Sequence, residues 1–259
     1  MIGRVLALTS VFYAFMLAYR AELILWALAS SMPFIMMGAW MQAAEVHALA
    51  LTPDDFARYF LTLFIVRQLT AVWVIWDVEQ DVVRGRLARS LLMPFPVSAR
   101  YVLSHVADRL ARGPFLVGLV VLFLAMRPQT FFVPTWDRAL LFVVTVVCAL
   151  ALRFLIQFTL AMLAFWTERA SALEGIFSLV YVFCSGVIAP LSLFPDAVRD
   201  VLEVLPFALL LHFPTAVLLG LDVDVARSFA LLLAWGALFF VANRLLWRAG
   251  LRRFTSMGA

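Results

Sequence analysis

Long apolar runs separated by short charged segments make up most of the chain. A helix that crosses the roughly 30 Å hydrocarbon core of a bilayer needs about 20 mostly apolar residues. Six segments approach this length, provided that residues 101–112 extend the short third run and Arg244 snorkels to the interface from the sixth. The predicted spans are residues 23–41, 59–76, 113–126, 139–166, 175–194 and 228–247. The pattern therefore predicts an all-α, polytopic membrane protein with six transmembrane helices.

The N-terminal residues 1–22 hold a further charge-free run that ends at Arg20. The first span begins so soon after Arg20 that the chain has no room to reverse, which favours an amphipathic helix lying in the membrane interface. A cleaved signal peptide is the competing interpretation. Against it, Arg20 and Glu22 interrupt the run before the Ala-Leu-Ala sequence at residues 27–29, and apolar sequence continues afterwards. We expect an interfacial helix over 1–22 and one transmembrane domain over 23–259.

Residues 204–221 lack Asp, Glu, Arg and Lys, but Pro206, His212 and Pro214 interrupt them. Counting this segment as a seventh span would place the arginine-rich C-terminal tail on the outer side, against the positive-inside rule. We therefore predict an outer re-entrant helical hairpin over 196–222, with its broken backbone buried against protein. Both termini are then cytoplasmic.

Composition excludes an ordinary soluble protein. Hydrophobic residues make up 65% of the chain and charged residues 14%, and the mean hydropathy is +1.02. A soluble domain typically carries about 25% charged residues. The solvent of most of this surface is therefore lipid.

The charged residues restrict the chemistry further. None of the 20 basic residues is Lys, so the ATP-binding P-loop, which needs a Lys after its glycines, is excluded. The arginines lie between apolar runs rather than in a basic, aromatic-interleaved domain, so no nucleic-acid partner is expected. The three histidines lack metal-ligand spacing, and Cys148 and Cys184 lie inside apolar runs. We expect no catalytic, metal or cofactor site in this chain, and ATP-driven work needs a partner subunit.

The richest polar segment is residues 77–100, which the topology places on the cytoplasmic side. Three acidic residues precede three arginines, the order that a helix dipole favours. Val83, Leu87 and Leu91 recur every fourth residue and give the predicted helix an apolar stripe, and prolines follow it. Such a stripe contacts either a protein partner or the lipid surface, and the pattern alone favours neither.

Several motifs, together with the order of the segments, resemble those of a known family. They are Arg84-Gly85-x-Leu87 with Leu91 and Pro94 before the third span, the decapeptide GVIAPLSLFP at 186–195, and Leu205-Pro206 followed by residues 214–220. With two spans before the cytoplasmic loop and four after it, the chain resembles the permease subunit of a type-2 ATP-binding-cassette (ABC) exporter. It is similar to the bacterial branch that pairs two different permeases with one kind of ATPase.

This resemblance implies contacts and roles for named residues. The loop helix over residues 79–92 would dock into a groove of an ABC ATPase dimer, and residues 167–174 would add a smaller contact, unless they are a plain helix connection. The residues implied in coupling are Glu79, Val83, Arg84, Gly85, Arg86, Leu87 and Leu91. Four prolines would form an outer gate, or would merely end helices: Pro190, Pro195, Pro206 and Pro214.

Two arginines lie near the middle of predicted spans, Arg67 in the second and Arg153 in the fourth. An unpaired charge at that depth is costly, so neither is expected to face lipid. No Asp or Glu lies at comparable depth in the predicted spans, which points to a counter-charge from elsewhere. We favour a second permease subunit over contact with the substrate. Gln68 and Gln157 are polar neighbours that help to solvate them.

The sequence thus predicts half of a translocation path in a bacterial cytoplasmic membrane, powered by ATP hydrolysis on a separate ATPase. The expected partners are the ATPase dimer, a second permease (a different chain or a second copy) and the bilayer. The alternative function is an ATP-independent membrane insertase or assembly factor that uses Arg67 and Arg153 to attract a polypeptide.

Overall fold

The computed structural model describes residues 9–14, 32–47 and 51–254. Within them all regular structure is helical, which confirms the predicted all-α class. Residues 9–14 are helical, but the rest of the predicted interfacial helix lies outside the described residues, as does the first half of the first predicted span. The helices are α1 (Met32–Val46), α2 (Pro53–Thr70), α3 (Val74–Val83), α4 (Arg86–Leu91), α5 (Val97–Met126), α6 (Trp136–Ala161), α7 (Ala172–Cys184), α8 (Asp196–Val204), α9 (Pro206–Leu210), α10 (His212–Leu219) and α11 (Val225–Arg253).

In the part of the chain that the structure describes, four helical stretches are long and apolar enough to cross a membrane: Pro53–Val83, Val97–Met126, Trp136–Phe165 and Val225–Arg253. They correspond to the second, third, fourth and sixth predicted spans. The fifth differs from its prediction over 175–194, because α7 has 13 residues and ends at Cys184. At 1.5 Å per residue it reaches only about 20 Å. Gly186, with a φ of 91°, turns the chain out of the helix.

The central element is α6, which packs against α2, α3, α10 and α11. Its first part contributes to an apolar core with the aromatic side chains of α2 and with Phe213 of α10. Its last part joins a second core formed with α3 and with Leu87 of α4. Two buried cores therefore lie one after the other along α6.

By contrast, the most apolar stretches of α5 and α11 are only 6% buried. Both helices present long apolar faces that nothing in the described part of the chain covers. Faces of this kind need lipid or another protein against them.

The segment predicted as a re-entrant hairpin, 196–222, forms the three short helices α8, α9 and α10. Pro206 occupies the first turn of α9, where its missing N–H is tolerated. Most side chains of α9 and α10 are buried, and α10 packs against α6 and α2. Broken helices are thus covered by protein, which satisfies the condition for irregular backbone at membrane depth.

Candidate functional site

The segment 77–100 forms a bend of two helices, which we call the elbow. The prediction of one helix over 79–92 is wrong, because α3 ends at Val83 and α4 begins at Arg86. Gly85 lies between them with a φ of 68°. Since other residues adopt this left-handed conformation at a cost, Gly85 is what permits the sharp turn.

Asp81 holds the elbow in shape. Its Oδ2 accepts hydrogen bonds from Arg100 Nη2 at 2.5 Å and from the Tyr101 hydroxyl at 2.8 Å. Its Oδ1 lies 3.1 Å from Arg86 Nε. Asp81 is 9% exposed, so these charge-assisted contacts are shielded from water on one side. One carboxylate therefore ties α3 and α4 to the start of α5.

The predicted apolar stripe divides between core and surface. Leu87 is 1% exposed and belongs to the core beneath the elbow, whereas Val83 is half-buried. Leu91, Leu92 and Met93 are exposed, with Leu92 the most exposed at 86%. We call these three residues the elbow tip. Leu87 is consequently unavailable as a surface contact, and the apolar surface lies later in the segment than the sequence predicted.

Three arginines precede the elbow tip along the chain. Arg84, Arg86 and Arg89 are all exposed. Arg86 is held by Asp81 and donates to Gln80 Oε1 at 3.2 Å. Within the described residues Arg84 and Arg89 form no ion pair, so their charges face solvent. The surface combines exposed apolar side chains with unpaired positive charge.

Glu79 makes a contact inside the chain that the sequence did not suggest. Its carboxylate accepts hydrogen bonds from the Ser171 backbone N–H at 2.5 Å and from Ser171 Oγ at 3.0 Å. Ser171 precedes α7, so Glu79 supplies negative charge at the helix N-terminus, where it is stabilising. This contact joins the elbow to the second loop, 167–174.

A polar stripe runs along α7 from this contact. Ser171, Glu174, Ser178, Tyr181 and Ser185 recur at intervals of three or four residues and so share one helical face. Glu174, Tyr181 and Ser185 are buried. A buried polar face on an otherwise apolar helix indicates polar partners opposite it.

The partners of the stripe are on α6. Gln157 Nε2 donates to Glu174 Oε2 at 2.9 Å, and Ser178 Oγ donates to the other carboxylate oxygen at 3.1 Å. One turn earlier on α6, Arg153 Nη1 donates to the Tyr181 hydroxyl at 2.6 Å. The Arg153 guanidinium lies 4.3 Å from the Tyr181 ring centroid, a cation–π distance.

These residues change the account of the intramembrane arginines. The sequence placed no carboxylate of the chain at their depth, but Glu174 is 7% exposed and the Arg153 charge acts on it. Arg67 is close enough to Arg153 for the two cations to repel one another. Within the described residues, Arg67 Nη1 and Arg153 Nε are buried without a hydrogen bond. The recurrence of polar residues every three or four positions was the available signal for Glu174.

Similarity to known proteins extends over nearly the whole chain. The family model described as ABC-2 family transporter protein matches residues 16–258. The chain belongs to the ABC-2 transporter family. This confirms the resemblance drawn from the sequence motifs, and it makes the chain a multi-pass membrane permease of the type that associates with an ABC ATPase. No curated protein matches the chain. The insertase alternative gains no support from the family.

In this ABC-2 permease the helix of the second predicted span is interrupted between α2 and α3, shortly before the elbow. Residues 71–73 are not helical, so the last carbonyls of α2 lose their partners within the helix. Arg109 on α5 replaces them: its Nε donates to the Leu69 carbonyl at 2.7 Å, and its Nη2 donates to the Ala71 carbonyl. His105 Nε2 accepts from the Trp73 N–H at 2.9 Å. No pattern in the sequence indicates this role, because the role depends on contact between two separate segments.

Replacing Arg109 with Met is expected to destabilise the permease by about 3 kcal/mol, because three hydrogen bonds from a charged donor are lost and the Leu69 and Ala71 carbonyls stay unpaired. Thermal unfolding in mild detergent measures the effect. Arg248→Met, at an exposed position on α11, is the matched control. Equal unfolding midpoints for the two variants would contradict the assigned role.

A second polar contact of the ABC-2 permease lies at the turn after α7, in the part of the chain that holds the predicted gate prolines. The Tyr59 hydroxyl donates to the Gly186 carbonyl at 3.1 Å and lies 3.3 Å from His212 Nδ1. This contact joins α2 to the turn after α7 and to α10. Pro190, Pro206 and Pro214 are buried, and Pro195 is exposed. Three of the four predicted gate residues are thus inside the protein, around segments where helices begin or end.

Proposed function

We propose that this ABC-2 permease forms half of the translocation path of a bacterial exporter in the cytoplasmic membrane, and that the elbow tip docks on its ATPase. The exposed tip carries the docking proposal: Leu91, Leu92 and Met93 are apolar, and Arg84 and Arg89 beside them have unpaired charge. An apolar centre with an arginine rim is what a protein partner with acidic residues would cover.

Two rigid connections lead from the elbow into the permease. Asp81 links it to α5 through Arg100 and Tyr101. Glu79 links it to the start of α7, whose polar stripe reaches Arg153. We propose that these connections transmit closure of the ATPase dimer to α5 and α7. Packed side chains and hydrogen bonds are the means by which such coupling is carried.

A second permease is proposed to complete the path. The long apolar faces of α5 and α11 would then contact lipid, because the path is placed along other spans. We retain the two-permease arrangement, with both termini cytoplasmic, from the family resemblance. The path would run between subunits along the first, second and fifth spans, with the prolines Pro190, Pro195, Pro206 and Pro214 at its outer end.

The test is Leu91→Asp in the permease co-expressed with the genes that neighbour its own. A charge at the centre of the docking surface is expected to remove the ATPase from the purified complex and to abolish stimulated ATP hydrolysis. Leu91 is 41% exposed, so the permease itself is expected to fold and elute normally.

Leu91→Met is the matched control, since it keeps an apolar side chain of similar volume at the same position. It is expected to retain the ATPase. A Leu91→Asp variant that keeps both the ATPase and its stimulation would contradict docking at the elbow tip, and would favour the lipid-surface role that the sequence left open.

A further inference from the structure

A groove between α2 and α5 opens on the side of the permease. It is a shallow groove with a cavity volume of about 30 Å³. Gln68, Arg109 and Arg112 form its polar end, and Phe115, Leu116 and Leu119 of α5 form its apolar wall. The groove therefore changes from basic to apolar along the axis of α5.

With the uncharged part of α5 in hydrocarbon, the polar end would lie just inside the boundary between acyl chains and headgroups. The uncharged run 113–126 of α5 covers about 21 Å as a helix, less than the roughly 30 Å of hydrocarbon. Arg112 is the last charged residue before this run. Its long side chain can reach phosphate groups at the interface, while the wall beyond it faces acyl chains.

The groove carries one uncompensated positive charge. Arg112 Nε pairs with Asp108 Oδ1 at 2.7 Å, and its guanidinium lies 5.7 Å from the Trp73 ring centroid. Arg109 is directed at backbone carbonyls and keeps its full charge. Two cations thus face one carboxylate. The Arg112 Nη groups and the Gln68 amide make no hydrogen bond to any residue that the structure describes, so donors remain for a ligand.

We propose that this groove binds an anionic phospholipid, with its phosphate on Arg112 and Gln68 and an acyl chain along Phe115, Leu116 and Leu119. The excess positive charge selects an anionic over a zwitterionic headgroup. The apolar wall selects a lipid over a free anion. If the elbow is cytoplasmic, as the proposed function requires, the lipid comes from the cytoplasmic leaflet.

Bound lipid would bridge α2 and α5 beside the break at residues 71–73, where Arg109 already joins the same two helices. Because a ligand that binds only the folded state stabilises it, occupancy should raise the stability of this junction. Through this groove, the lipid composition of the membrane would change the stability of the segment that connects the second span to the elbow.

Native mass spectrometry and thermal unfolding of the purified permease test the proposal, and neither needs the ATPase. Phosphatidylglycerol is expected to bind and raise the unfolding midpoint, and phosphatidylcholine to do so far less. Arg112→Gln is expected to weaken phosphatidylglycerol binding about fivefold, the effect of one arginine near an anionic headgroup. Arg248→Gln is the control for non-specific charge, and is expected to bind as the unchanged protein does.

Leu116→Trp is the second variant, because it fills the apolar wall and leaves every charge in place. It is expected to reduce phosphatidylglycerol binding while the protein stays folded. Equal binding of the two lipids, or unchanged binding by both groove variants, would overturn the proposal. Stabilisation by inorganic phosphate equal to that by phosphatidylglycerol would instead show an anion site without a lipid.

Discussion

Replacing Glu174 with Gln is expected to destabilise the permease by about 3 kcal/mol, because the hydrogen bonds from Gln157 and Ser178 lose their charged acceptor. Glu174 is the buried carboxylate on which the Arg153 charge acts, and Arg67 is close enough to Arg153 for the two cations to repel each other. Without Glu174, the buried Arg153 charge loses this carboxylate while the repulsion from Arg67 remains. Gln keeps the shape of the Glu side chain and one oxygen that can accept a hydrogen bond. The loss of stability therefore measures the effect of the negative charge.

A second mutation, combined with Glu174→Gln in a double-mutant cycle, removes the positive charge of Arg153. Arg153→Met in the Glu174→Gln background is expected to recover part of the lost stability, because one cation then remains where two repelled. The unfolding midpoint of each purified variant gives the comparison. Glu168→Gln, an exposed carboxylate in the second loop, is the control and is expected to have no effect.

This experiment also decides between two sources of the counter-charge. If Glu174 supplies it, the variants lose stability as isolated permeases. If a second permease supplies it, as the sequence favoured, the isolated chain is unchanged and Arg153→Met weakens subunit assembly instead. Unchanged stability of Glu174→Gln would therefore rule out the assignment made from the structure.

Leu87→Asp is expected to prevent the permease from folding. The side chain is 1% exposed in the core beneath the elbow, and an aspartate there is an unpaired buried charge, expected to cost at least about 4 kcal/mol. Yield and elution profile after detergent purification measure the outcome. Leu87→Met, similar in volume, is expected to fold at a cost below about 1.5 kcal/mol.

The comparison with Leu91→Asp makes this prediction informative about docking. The sequence treats Leu87 and Leu91 as equivalent positions of one stripe, and on that basis both aspartate variants fold and both lose ATPase stimulation. The structure separates them, with a folding defect for Leu87 and a docking defect for Leu91. A well-folded Leu87→Asp permease that had lost its ATPase would favour the sequence interpretation.

The division of the elbow into two helices shows why pattern alone was insufficient here. A four-residue recurrence of Val83, Leu87 and Leu91 fits one helix, and nothing in that recurrence states that Gly85 takes a left-handed conformation. Once it does, Leu87 turns inward, and Leu91 stays exposed beside Leu92. Local periodicity identifies an apolar stripe, but the bend decides which residues of the stripe are buried in the core and which are exposed on the surface.

The fifth span illustrates the same limit in the membrane. The sequence suggested an uncharged helix over 175–194, whereas α7 begins earlier, at Ala172, and ends at Cys184. The earlier start brings Glu174 into the helix and places it beside Gln157. Assigning every charged residue to a loop misses a carboxylate such as Glu174. This carboxylate is buried inside the protein, where a side chain of another helix binds it.

The sequence by itself determined the membrane environment, the helical class, most of the long spans and the ABC-2 family, because apolar runs, their lengths and their motifs are local properties of the chain. Only the tertiary structure decided that Glu174 meets Gln157 beside Arg153, that Asp81 and Glu79 hold the elbow, and that Arg109 completes the broken second span. Each of these contacts joins residues from different helices. Their positions follow from how the helices pack, and helix packing depends on the whole chain at once.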